Sequence, residues 1–177
     1  MEAIIGSLHP ALVHIPIGLL FLYSLVEVGL LFFPTFRDKM TYGRYVMLVV
    51  GVIGALFALQ SGESLEHAQR FDRALVEVHS FVAGATTWVY GILAIAMTLM
   101  FAVEWRILLR VQTTYPLVKK VLHPFLVLSR LVTRQPWRVL LAIGGGVLLL
   151  LTGALGGAIA HGPNADFITA AVYTLFF

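Results

Sequence analysis

Cysteine is absent from the chain, and that absence excludes disulfides, thiolate metal sites and covalent c-type haem attachment. Charge is scarce as well: Asp, Glu, Lys and Arg make up 12% of the 177 residues against 59% hydrophobic ones, and the mean hydropathy is +0.92. A soluble domain of this size needs far more charge to cover its surface, so an integral membrane protein is expected. No compact basic surface with interleaved aromatics stands apart from the connecting loops, so the net charge of +3 does not point to nucleic acid. The opening MEAIIGSL carries Glu2 in place of a positive leader; no cleaved signal peptide is expected, and the first apolar run stays as a span. Ser61 and Ser64 have no nucleophile-elbow glycines around them, which removes a serine hydrolase.

What the chain does have is four long apolar runs, at about residues 11–33, 45–62, 81–103 and 139–160. Each suits a hydrocarbon core of roughly 30 Å at about 1.5 Å per helical residue. A spanning backbone must satisfy its own polar groups, so these runs are helices. The expectation is one integral membrane domain over 1–177, an all-α, four-transmembrane-helix up-down bundle.

The basic residues orient it. Arg37, Lys39, Arg44, Arg106, Arg110, Lys119, Lys120, Arg130, Arg134 and Arg138, ten of the twelve, fall on the side of the 33–44 and 104–138 connections. The positive-inside rule makes that side cytoplasmic and places both termini outside, as in a multi-pass protein of the inner membrane. Within 115–134, Leu117, Val118, Val121, Leu122, Phe125 and Leu126 recur at helical spacing, with Lys119, Lys120, His123, Arg130 and Arg134 largely off that stripe. This is the pattern of a cytoplasmic interfacial helix on anionic lipid, interrupted at Pro124. The C-terminal ADFITAAVYTLFF is too short to span; it is expected to form an outer interfacial segment or to fold back over the bundle mouth.

The chemistry gathers at the outer ends of the helices. HPALVHIP sets His9 and His14 at the opening of helix 1, with Pro16 expected to bend it. SGESLEH brings Glu63 and His67, four apart on one face, to the outer end of helix 2, and EVH places Glu77 and His79 where helix 3 begins. His161 ends helix 4 on the same side, whereas His123 lies on the other. Glu27, an ionisable group inside a span, is a functional candidate or a structural partner of Arg44 or Arg106. Small residues on helix 2 (Gly51, Gly54, Ala55, Ala58) and the Gly153/Gly157 pair on helix 4 allow close helix packing and permit a homodimer.

The segments HPALVHIPIG, SGESLEH with the later EVH, and TGALGGAIAHGPNAD resemble the bacterial membrane family catalogued as domain of unknown function 2231. The resemblance implies four spans and, in some relatives, association with cytochrome-type or Rieske-type redox modules, which directs the choice of ligand toward haem. His9, His14, His67 and His79 match the family's pattern, whereas His161 stands where an aromatic such as Tyr is expected.

Three readings follow. In the first, a b-type haem sits between diagonal helices 1 and 3 with His14 and His79 as axial ligands and His9 and His67 as a shallower pair. The protein then transfers electrons or senses redox state near the outer face, with a quinol or an extracytoplasmic redox protein as partner. In the second, Glu63 and the cluster of His14, His67 and His79 bind zinc or copper. In the third, the cluster is a hydrogen-bonded cap on a cofactor-free structural or assembly subunit.

Overall fold

The computed structural model describes residues 8–68 and 71–177, with the side chains of 67, 68, 109, 111–113 and 116 outside that description. The described residues are helical between short turns: α1 (His9–Leu12), α2 (His14–Phe32), a 3₁₀ turn (Pro34–Phe36), α3 (Thr41–Ala68), α4 (Arg73–Glu104), α5 (Ile107–Thr114), α6 (Pro116–Thr133), α7 (Gln135–His161) and α8 (Phe167–Phe176). Four stretches are long and apolar enough to cross a membrane: His9–Phe32, Thr41–Glu66, Arg73–Glu104 and Gln135–His161.

Local chemistry sets the helix ends. Pro16 has no N–H to offer Leu12, and the first span breaks one turn earlier, between α1 and α2 at Val13. Pro34 ends α2. Asp72 starts α4 by accepting from the Ala74 and Leu75 amides, so α4 begins two turns before the apolar run and outreaches the expected span. Gly162, at φ 91°, closes α7 in a conformation that side chains rarely adopt. Pro124 does not interrupt α6, which is helical throughout Pro116–Thr133. Pro124 and Lys120 are both exposed, so the carbonyl that loses its partner can be solvated there.

The spans pack in a ring: α2 on α3 and α7, and α4 on α3 and α7, which leaves α2 and α4 diagonal. Contacts run in opposite directions along two of the neighbouring pairs. On α2 and α3, Leu20 meets Gly51, Pro16 meets Gly54 and His9 meets Gly62; on α4 and α7, Tyr90 meets Gly145 and His79 meets Gly156. Every neighbour pair read this way is antiparallel. The interior is filled by Leu20, Tyr23, Leu48, Tyr90, Leu93, Ala142 and Leu149.

The interior glycines are spaces for particular side chains. A Cβ at Gly51 would stand 2.6 Å from Leu20 Cδ2, and one at Gly145 would stand 2.8 Å from Tyr90 Cζ. Tyr90 thereby reaches across the diagonal: Ser24 Oγ donates to the Ala142 carbonyl (2.8 Å) and accepts from the Tyr90 hydroxyl (2.7 Å). Gly157 lies against Thr169 of α8 and Gly156 against His79. Of the glycines expected to allow close packing, Gly51, Gly54 and Gly157 are met by side chains of this chain, and Gly153 is open.

α8 folds back on α7, with Thr169, Val172 and Tyr173 toward the bundle and Phe167, Ile168 and Leu175 exposed. Asp166 caps it, accepting from the Thr169 hydroxyl and from the Thr169 and Ile168 amides. These bonds hold its carboxyl below the ordinary 3.8, the Thr169 hydroxyl contributing most. Because the folded value is lowered, the cap is complete above pH 3.8 and is lost as pH falls through the lower folded value. The Ile168 and Thr169 amide resonances in micelles are expected to titrate below pH 3.8, and Asp166→Asn is expected to abolish that titration.

Candidate functional site: a histidine pair at one end of the bundle

Each span turns one stripe inward, and polar groups recur on these stripes at the two ends. On the first span the stripe is His9, Pro16, Leu20, Tyr23, Glu27 and Leu30; on α4 it is Leu75, His79, Val82, Thr86, Tyr90, Leu93 and Met97. These spacings of three, four and seven keep one helical face.

His9 and His79 both lie at the end of the bundle opposite Glu27. They come from diagonal spans, and each is half-buried. Each ring rests on a glycine of a neighbouring helix: a Cβ at Gly62 would stand 3.1 Å from His9 Cε1, and one at Gly156 would stand 3.3 Å from His79 Cε1.

His9 Nδ1 lies 2.9 Å from Ser61 Oγ, and Ser61 Oγ is also 3.0 Å from the Ala58 carbonyl. The ring is thus held against the outer turn of α3 by Ser61 and the Ala58 backbone. His79 Nδ1 is buried and makes no hydrogen bond of ordinary distance and angle among the described residues, while its ring lies close to the Thr152 backbone. Imidazole nitrogens are ligands that haem iron, copper and zinc accept.

The other sequence candidates are placed elsewhere. His14 is exposed, its Nδ1 turned back to the Pro10 carbonyl. It sits about 160° around the helix from Pro16 at roughly 100° per residue, on the outer stripe with Ile15 and Gly18. On the first span it is thus His9, and not His14, that faces the bundle. Glu63 and Glu77 are exposed and His161 is exposed at the end of α7. The His67 side chain lies outside the described residues, and His123 is exposed on α6. Among the described residues no three histidine, aspartate or glutamate side chains come close enough to share an ion, so the Glu63 cluster expected for zinc or copper is not assembled by them.

At the opposite end Glu27 is 1% exposed and holds two arginines, Arg44 at 3.2 Å and Arg138 at 2.9 Å. Of the two partners expected, Arg44 is present and Arg106 is replaced by Arg138. Arg44 also donates to the Met40 and Arg37 carbonyls and to Thr41 Oγ1, and Arg138 to the Thr133 carbonyl. The cluster joins the first, second and fourth spans.

A four-span bundle with a paired-histidine end and an ion-paired end is a multi-pass membrane protein. The family described as predicted membrane protein (DUF2231) matches residues 6–164, and the chain belongs to that family. No curated protein and no solved structure matches the chain.

Proposed function

We propose that this chain is a redox subunit of a cytoplasmic membrane that holds one b-type haem at the His9 end of its bundle, with His9 and His79 as its axial ligands. The observation that carries this is the placement of two inward imidazoles from diagonal spans at one end of the bundle, one beside Ser61 and the other with a buried Nδ1 that makes no hydrogen bond of ordinary geometry among the described residues. The haem supplies a one-electron redox centre; the protein supplies the donors, and Ser61 orients one of them. Two protein ligands meet the axial demand of a haem, whereas zinc sites ordinarily use three or four.

The reading restricts where electrons can go. Below the histidines the interior is closed by Leu20, Tyr23 and Tyr90, and His123, on the helix near the other end, is exposed. The single site therefore exchanges electrons at its own face rather than across the bilayer. With most basic residues at the opposite end, that face is the extracytoplasmic one, and a quinol or an extracytoplasmic redox protein is the partner.

The test is an absorption spectrum of the detergent-purified protein from haem-replete expression, oxidised and then dithionite-reduced, with metal analysis of the same sample. A Soret band with sharp reduced α and β bands is expected. A colourless sample with stoichiometric zinc or copper would overturn the haem in favour of a non-haem site; a colourless, metal-free one would overturn it in favour of a cofactor-free assembly subunit.

A further inference from the structure

The second site of interest is α6, which stands outside the ring of spans and packs on α4 and α7. At roughly 100° per residue its side chains divide into three sectors. Leu122, Leu126 and Ser129 face the bundle, with Leu126 at 8% exposure. Leu117, Val121, Phe125 and Leu128 form a second sector that is apolar and open, with Leu117 at 79% and Phe125 at 56% exposure. Lys119, His123 and Arg130 form the third, continued by Arg134 just past the helix end and bordered by Lys120 with the exposed Val127 and Leu131.

An amphipathic helix that covers one face with protein ordinarily offers water the rest. α6 offers an apolar side and a cationic side next to each other, the combination demanded by a lipid surface, where acyl chains meet headgroups. The sign of the charge identifies the headgroup. From Trp105 to Ala165 the sequence contains no acidic residue, while Arg106, Arg110, Lys119, Lys120, Arg130, Arg134 and Arg138 all fall within it. Nothing in that stretch neutralises the third sector from its own chain segment.

The orientation of the helix is fastened rather than free. Arg138, held by Glu27, donates to the carbonyl of Thr133, the last residue of α6. Val132 packs against the buried core. The two open sectors are therefore presented at a set angle to the spans.

We infer that α6 is a binding surface for anionic phospholipid, with Leu117, Val121, Phe125 and Leu128 seated among acyl chains and Lys119, Lys120, Arg130 and Arg134 on the lipid phosphates. This makes α6 the contact by which the protein selects its lipid neighbours at the Glu27 end, independently of any cofactor at the histidine end.

The experiment uses the full chain in phosphatidylcholine bilayers containing a small fraction of spin-labelled lipid, either phosphatidylglycerol or phosphatidylcholine. The protein-restricted fraction is read by electron spin resonance. A several-fold preference for phosphatidylglycerol is expected at low salt, reduced at high ionic strength by screening. The quadruple variant Lys119→Gln/Lys120→Gln/Arg130→Gln/Arg134→Gln changes only exposed side chains and is expected to bring the ratio close to one. A second variant, Arg37→Gln/Lys39→Gln, removes charge from the neighbouring turn and is expected to keep most of the preference. No preference in the wild-type protein would overturn the proposal and leave α6 to an acidic protein partner. A preference that survives the quadruple substitution, or is lost with Arg37 and Lys39 instead, would also overturn it by placing the site elsewhere.

Discussion

Glu27→Ala is expected to destabilise the bundle by about 3–5 kcal/mol, the cost typical of removing one partner from a buried ion pair. Among the described residues Glu27 is the only carboxylate that joins Arg44 and Arg138, and Arg44 is itself buried. The loss leaves a guanidinium enclosed without a counter-charge. Its bonds to the Met40 and Arg37 carbonyls offset part of that cost, and Arg138, being half-buried, has a route to solvent. Most of the penalty therefore falls on Arg44. The double variant Glu27→Leu/Arg44→Met removes both charges and fills their volume, and it is expected to recover most of the loss. Thermal unfolding in detergent measures both; a single variant as stable as wild type would show that the cluster adds nothing to the fold.

The second large effect is expected at Gly145, in the middle of the bundle. Its missing side chain is where the Tyr90 ring lies, at 2.8 Å from the position a Cβ would take. Gly145→Ala forces the ring aside and with it the hydroxyl that bonds Ser24. Overpacking of this kind costs about 1–3 kcal/mol, and the lost hydrogen bond of a buried hydroxyl adds about 1 kcal/mol. Tyr90→Leu shortens the obstructing side chain, so in a double-mutant cycle the Gly145→Ala penalty is expected to shrink in the Tyr90→Leu background. Additive penalties would show that the ring is not what Gly145 accommodates.

The number and type of the spans were legible because membrane crossing imposes a length and a composition that no other constraint imitates. Their limits were less so: α3 and α4 continue as helix well past the apolar runs, α4 because Asp72 caps it at a charged position. Gly51, Gly54 and Gly157 are close-packing positions, as their spacing suggests, whereas Gly153 is open; the partners are not readable from spacing. Gly145 takes a tyrosine, Gly156 a histidine and Gly157 a threonine from α8, contacts that depend on registers between helices far apart in sequence. The same registers decide that Glu27 meets Arg138 instead of Arg106, which lies past the end of the diagonal helix α4.

The histidine pair shows a signal that was present and passed over. His9 lies seven residues before Pro16 and continues the stripe through Leu20, Tyr23 and Glu27, whereas His14 falls on the opposite side of that helix. Depth along the helix favoured His14; the angle around it favoured His9, and burial follows the angle. Ser61 carried no motif of its own. Its hydrogen bond to His9 emerges only from the antiparallel packing of the first two spans.

The central claim is that His9, and not His14, is the haem ligand of the first span. The most direct test is the reduced absorption spectrum of wild type, His9→Ala and His14→Ala, purified in parallel from haem-replete cells, with circular dichroism to show that each bundle is folded. The account predicts a Soret band in wild type that His14→Ala keeps and His9→Ala loses while remaining helical. A band that persists in His9→Ala, or that disappears in His14→Ala, would contradict it.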